Sequence, residues 1–283
     1  MKKLVVTGLI LVCAALVAIW LVGIELIASQ NHFVGPSPKN LHAENVEFDG
    51  VRGWYASGVK IESCVLLLHG VRADRTSMIS RAQFLGAAGY PVMLIDMQAH
   101  GETIGAQITF GYRESVNVKA ALKYLRASKG CKRVAVLGTS LGGAAALLGS
   151  TPVDADALVL EAVYPSIEKA VTNRLAIRLG LIAPLISPLL YAQIPIRLGI
   201  PLKSLQPVDA IKAYHHPVLI IGGSKDEHTT LADTEQLYAS ANAPKELWVI
   251  QGARHQDFHR YAGDEYERRV LDFMERTMSF TSY

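Results

Sequence analysis

The sequence predicts an α/β protein: a mostly parallel central sheet with helices on both faces, a helical cap insertion, and an N-terminal transmembrane helix. Three observations lead there. Apolar runs such as Cys64–Leu68, Val134–Leu137, Ala157–Leu160 and Val218–Ile221 lack polar alternation and are separated by stretches of helical spacing, the pattern of strands buried on both sides. Half of the 283 residues are hydrophobic and 19% are charged, enough for a large core and too apolar for a disordered or collagen-like chain. A single uninterrupted apolar segment opens the sequence.

In that segment, Lys2 and Lys3 precede a run from Leu4 to Ala28 whose only charge is Glu25. About 20 helical residues cross the hydrocarbon core of a bilayer, whereas the apolar part of a cleaved signal peptide is usually about 7–15 residues. No small-x-small cleavage site follows, and Val12 is too bulky to mark Cys13 for lipidation. Residues 1–28 are therefore expected to be a retained signal anchor, with cleavage and secretion as the alternative. The lysines should stay cytoplasmic, which puts the rest of the chain outside, in a periplasm or lumen. Residues 29–43, with Pro36, Ser37 and Pro38, read as a linker, and 44–283 as the domain.

Within the domain, Val46–Phe48 and Val51–Tyr55 flank Asp49-Gly50 as a hairpin. The run Cys64–Leu68 reads as a strand ending in His69-Gly70, followed by a helix over about 77–88 and a strand at Val92–Ile95. Val118, Ala121, Leu122 and Leu125 give Glu114–Ser128 helical spacing. Leu247–Ile250 is the last strand. The final helix starts near Asp264, with Glu267 as a capping-box signal, and shows one face of Tyr266, Val270, Phe273 and Met274. Cys64 and Cys131 fall just before neighbouring strands. Two buried free thiols are expected, a disulfide being the alternative that the Cα distance decides. The net charge of +3 is weak and dispersed, so no nucleic-acid partner is expected. No C-x-x-C, H-E-x-x-H, P-loop or dinucleotide fingerprint occurs, and neither cofactor nor metal is expected.

The chemistry centres on Gly138-Thr139-Ser140-Leu141-Gly142, which follows an apolar strand and opens a small-residue helix. In that context G-x-S-x-G is a nucleophile elbow: a sharp, strained turn that lifts the Ser140 hydroxyl above the sheet edge. A serine needs a base, and the base an orienting acid, in the order Ser, acid, His. Asp226 follows the Val218–Ile221 strand and His255 follows Leu247–Ile250, both where α/β sheets place their ligand crevice. Glu161, at another strand end, is a rival acid. His228 and His259 are rival bases, and His69 and His100 read as loop-shaping. Two backbone donors complete an oxyanion hole, from Leu141 after the nucleophile and from Val71 in the loop after Leu68.

These residues give the chain its resemblance to the α/β-hydrolase superfamily, and within it to membrane-anchored acyl-protein thioesterase-like and lysophospholipase-like serine hydrolases. The matching stretches are Leu68-His69-Gly70, Asp96 with Ala99–Glu102, Gly138–Gly143, Gly222–Asp226 and Gly252–His255, in the superfamily's order across about residues 44–278. Gln98-Ala99 departs from the Arg-Gly of many relatives. The resemblance implies a Ser140–His255–Asp226 triad cleaving an ester or thioester of an acyl or lipid-like substrate through an acyl-enzyme. It also implies a cap at residues 165–206. That segment carries five cations against the single acid Glu168, a local +4. Val171, Leu175, Leu179, Ile182, Ile186 and Leu190 recur at helical spacing there, cut by Pro184, Pro188, Pro195 and Pro201. The expected arrangement is a lid packed on the core. The same residues also fit a face turned to lipid. Two other functions compete. A prolyl-aminopeptidase-like peptidase would need more acids in the cap, and a non-catalytic binding protein would be expected to have lost a triad member.

Overall fold

The structure, a computed structural model, describes residues 2–278. It opens with α1 (Lys2–Ile27) and a two-residue strand β1 (Gln30–Asn31), then the hairpin β2 (Glu44–Phe48) and β3 (Val51–Ala56). The core follows as β4 (Ser63–Leu68), α2 (Ile79–Ala87), β5 (Val92–Ile95), the short β6 (His100–Gly101), α3 (Glu114–Lys129), β7 (Arg133–Thr139), α4 (Leu141–Leu147) and β8 (Ala157–Glu161). An insertion of α5 (Ile167–Leu179), α6 (Ala183–Tyr191) and α7 (Gln193–Leu198) comes next, and α8 (Pro207–Ala210) leads back to the sheet. The chain finishes with β9 (Val218–Gly223), α9 (Leu231–Ser240), β10 (Lys245–Ile250), α10 (Phe258–Ala262) and α11 (Asp264–Met278).

The main sheet has the order β10-β9-β8-β7-β4-β5-β3-β2. All pairings from β10 to β5 are parallel, while β3 runs antiparallel to both β5 and β2. Alternate strand residues feed two cores. Leu66, Leu68, Val134 and Val136 meet α3 and α4 on one face; Val65, Leu67, Ala135 and Leu137 meet α2 and α11 on the other. This is the doubly covered parallel sheet expected from the unalternating runs. The chain moves from β4 outward to β5, then returns to the other side of β4 with β7. The order therefore reverses between β4 and β7, and in open α/β sheets the crevice forms at such a reversal.

Four local features differ from expectation. Cys64 and Cys131 are joined in a disulfide rather than held as free thiols. Cys64 pairs in register with Val134 of β7, which brings Cys131, just ahead of β7, to a Cα distance of 5.8 Å, within bridging range. The segment 29–43 is laid along the domain. Its Gln30 and Asn31 pair with His100 and Gly101, and the Val34 and Gly35 amides both donate to Glu102 Oε1 at 3.0 Å. Glu267 makes no capping box for α11, because Gly263 turns the chain there and Glu267 accepts from His259 at 2.8 Å instead. The capping box that does form opens α9, between Thr230 and Asp233. Finally, much of the insertion's apolar surface is exposed rather than packed on the core.

Candidate active site

Ser140 stands between β7 and α4 with φ 51° and ψ −108°. Left-handed backbone in a non-glycine residue costs about 1–3 kcal/mol and persists only where its surroundings enforce it. Here they do. The Ser140 amide donates to Glu161 O at 2.7 Å, and Thr139 Oγ1 donates to Glu161 Oε2 at 3.0 Å. The glycines make the turn possible sterically: a Cβ at Gly142 would stand 2.5 Å from Leu68 O, and one at Gly138 would stand 2.5 Å from Gly143 N.

Glu161, the rival acid, is buried beneath this turn and fully engaged. Arg81 grips both of its oxygens at 3.1 and 2.7 Å, and the Tyr266 hydroxyl donates to it as well. It has no lone pair free to orient a histidine, so its part is to brace the elbow. Arg81 and Tyr266 lie far from Glu161 in sequence, and no local pattern announces them.

Asp226, in the turn after β9, is buried. Its Oδ1 accepts from the His228 and Thr229 amides at 2.8 and 2.9 Å, which fixes the carboxylate plane. Its Oδ2 lies 2.8 Å from Nδ1 of His255, the residue placed beyond β10. With Nδ1–H donated to the carboxylate, the His255 Nε2 lone pair is free to accept a proton. No direct hydrogen bond joins Ser140 to His255 among the described residues; such contacts are often long in free enzymes and tighten on substrate binding. His228, one of the rival bases, stacks its ring on His255 with centroids 4.7 Å apart. Burial first, then its neighbours His255 and Arg174, lower its pKa below the usual 6.5. His259 is spent on Glu267 and packs against Phe84.

Val71 and Leu141 come from the two strands that flank the reversal. A Cβ on Gly70 would lie 3.9 Å from Ser140 Cβ, so the loop after β4 runs beside the serine. The Val71 amide has no backbone acceptor among the described residues, and Leu141 is the first residue of α4, whose amide has no intrahelical partner. The loop is held from below by His69. Its Nδ1 donates to Gly70 O at 2.8 Å, and its Nε2 accepts from the Met97 amide at 3.1 Å. Making both bonds at once needs the neutral ring, because Nε2 can accept only when it carries no proton. Burial, reinforced by neighbouring His100, drops the His69 pKa to about 3. The next residue along, Arg72, donates to the Glu25 carbonyl of α1 and faces the Glu25 carboxylate at 3.7 Å.

The insertion, which leaves the sheet after β8 and returns to it before β9, is bonded to the loop after β9. Asn173 on α5 donates to His228 O at 3.1 Å and to Asp233 Oδ2 at 2.6 Å, which pins the cap to the loop of the acid. Arg174, one position on, lies within electrostatic reach of Tyr164 and Asp226 and has no carboxylate ion-pair partner among the described residues. The cap's excess of cations was visible in the sequence, but which one faces the site was not. Among the described residues no group of three or more His, Cys, Asp or Glu side chains is arranged to hold a metal ion.

The sequence profile of the Alpha/beta hydrolase family matches residues 65–269, from β4 into α11. An uncharacterised protein of Bacillus subtilis, YqkD, is 20% identical over 80% of this chain and 75% of its own. Among solved structures, an esterase of Pyrococcus furiosus superposes with a TM-score of 0.71 at 22% identity, over 89% of this chain and 99% of that one. A membrane phospholipase A, described as a bacterial virulence factor, superposes with a TM-score of 0.61 at 16% identity, over 99% and 100% of the two chains.

Proposed function

Because the chain belongs to the Alpha/beta hydrolase family, we propose that it is a membrane-anchored serine hydrolase that cleaves carboxylic esters or thioesters of acyl or lipid-like substrates. The observation that carries this reading is the strained Ser140 at the end of β7, facing the same sheet edge as the Asp226–His255 pair at 2.8 Å. Ser140 Oγ attacks the substrate carbonyl while His255 Nε2 takes its proton. Asp226 holds the ring in the required tautomer and stabilises the imidazolium. The amides of Val71 and Leu141 receive the negative oxygen of the tetrahedral intermediate. The alcohol or thiol leaves with the proton from His255, and water, deprotonated by the same histidine, releases the acid and restores Ser140.

The membrane part of the reading rests on α1, 26 residues long and apolar enough to span a bilayer. Lys2 and Lys3 would stay in the cytoplasm, and the Cys64–Cys131 disulfide fits a domain in an oxidising compartment. Similarity to a membrane phospholipase A favours a lipid ester over a small soluble one. A peptidase is disfavoured because the cap's only acid, Glu168, is occupied by Gln206 at 3.0 and 2.9 Å. The test is hydrolysis of an ester and thioester series of increasing acyl length by the full chain in detergent micelles, beside Ser140→Ala. Activity is expected in the wild type and only background in the variant. Equal rates from both would defeat the mechanism.

A further inference from the structure

Beyond the site itself, the exposed apolar surface is unevenly distributed. Outside α1 and the cap, the large exposed hydrophobics among the described residues are few and scattered over several loops and helices, Val59 with Ile61 in one turn and Val116 on α3 among them. In the cap they follow one another. Leu181 is 98% exposed, Leu185 77% and Ile196 72%, with Ile177, Ile182 and Leu189 also exposed among them. By length and apolarity, 167–198 could be a second span. It folds instead as helices of 13, 9 and 6 residues, none long enough to cross about 30 Å of hydrocarbon.

The position of this surface relative to α1 is fixed by contacts. Gln193 Nε2 donates to Ile19 O at 3.2 Å, and Arg197 Nη2 donates to Trp20 O at 2.7 Å while its guanidinium lies over the Trp20 ring at 3.9 Å. Gly23 is buried against the Gln193 side chain, whose Oε1 would stand 2.2 Å from a Cβ placed there. Counting about 20 residues of span from Leu4 brings the far boundary of the hydrocarbon to about Gly23. Ile19 and Trp20 then lie just inside that boundary, and Glu25 with its Arg72 partner lies just beyond it, among headgroups. A cap bonded to α1 at Ile19 and Trp20 occupies the same depth.

We propose that the exposed face of α6 and α7, with the turn at Leu181, is seated in the bilayer leaflet from which α1 emerges, so that the catalytic domain lies on the membrane instead of standing above it. This rests on the anchored reading of α1. The occupant is lipid for two reasons. The helices that carry the apolar face are bonded to α1 at Ile19 and Trp20, and α1 itself exposes apolar side chains along its length, while the surrounding charge is basic. Arg178 is exposed beside the face and Glu168 is turned to Gln206, which suits anionic headgroups. The domain is also clamped at this angle: Ile27 O accepts from the Ile108 amide at 2.9 Å, and residues 28–35 bind back onto the domain. An amphiphilic substrate would then reach Ser140 from the leaflet, past the cap.

The experiment places an environment-sensitive NBD label at Leu185→Cys, Leu181→Cys, Leu9→Cys or Val59→Cys in turn. It uses the full chain with Cys13→Ser, in phosphatidylcholine–phosphatidylglycerol vesicles with and without brominated acyl chains. Val59 lies in the turn between β3 and β4, at the opposite end of β4 from the site. Leu185, Leu181 and Leu9 labels are expected to emit to the blue and lose intensity on brominated lipid, and Val59 to do neither. Quenching at Leu9 alone would overturn the seating and leave the anchor standing. No quenching at Leu9 would overturn the anchor and the seating together. Blue emission at Leu185 and Leu181 that brominated lipid does not quench would mean that protein, a second copy of the chain, covers the face, and would equally overturn it.

Discussion

At the scale of single residues, the site works by holding groups in states they would not adopt alone. Ser140 is held at positive φ by Glu161, and the buried Asp226 carboxylate is fixed in orientation by two amides and His255. Asp226→Asn keeps those amide bonds but reverses the donor at His255, which favours the wrong tautomer. A fall in kcat of about 10³–10⁴ with an unchanged melting temperature is expected, read by ester turnover and calorimetry. His69 offers a pH prediction. Its pKa falls from the usual 6.5 to about 3 in the folded state, so between those values the unfolded chain holds a proton that the folded one lacks. Stability contributed by the neutral ring is therefore full above about pH 6.5 and is lost as pH falls, at up to about 1.4 kcal/mol per unit. Urea midpoints from pH 7 to 4 should fall less steeply in His69→Asn than in the wild type. Equal slopes would contradict the neutral, doubly bonded ring. The positions of Ser140, Asp226 and His255 were legible because each falls at the end of an apolar run. Arg81 and Tyr266 beneath them were not, because they reach Glu161 across 80 and 105 residues of sequence.

At the scale of elements, periodicity located the sheet strands and the longer helices. It could not say what each apolar face would meet. The spacing of Val171 to Leu190 is the same for a helix on a core as for one on lipid, and only the contacts to Ile19 and Trp20 show the orientation. Cys64 and Cys131 carried a similar ambiguity, since a disulfide depends on register, and register becomes known only when β4 and β7 are paired. The bridge closes a loop across a sequence separation of 67 residues, and the chain-entropy estimate for such a loop is about 4 kcal/mol. Replacing both cysteines with alanine should lower the urea-extrapolated stability by about 2–5 kcal/mol, with no change in active-site labelling.

At the scale of the whole molecule, the reversal of strand order between β4 and β7 decides where everything else goes. It brings the loop of Val71 beside Ser140, while β9 and β10 deliver Asp226 and His255 along the same sheet edge. The cap and the emerging end of α1 are tied to that edge through Asn173 and Arg72. The helix α1, the loop after β4 and the turn of Asp226 are thus parts of one packed unit. The sequence showed these parts in order along the chain, but their meeting depends on pairings that no local pattern records.

The central claim is that Ser140 is an activated nucleophile. It is tested most directly by treating the full chain, in micelles, with a fluorophosphonate and locating the adduct by peptide mass spectrometry. A single adduct on Ser140, absent from Ser140→Ala and strongly slowed in His255→Ala, is the expected result. A folded protein that takes no label, or takes it elsewhere and keeps it in Ser140→Ala, would contradict the claim.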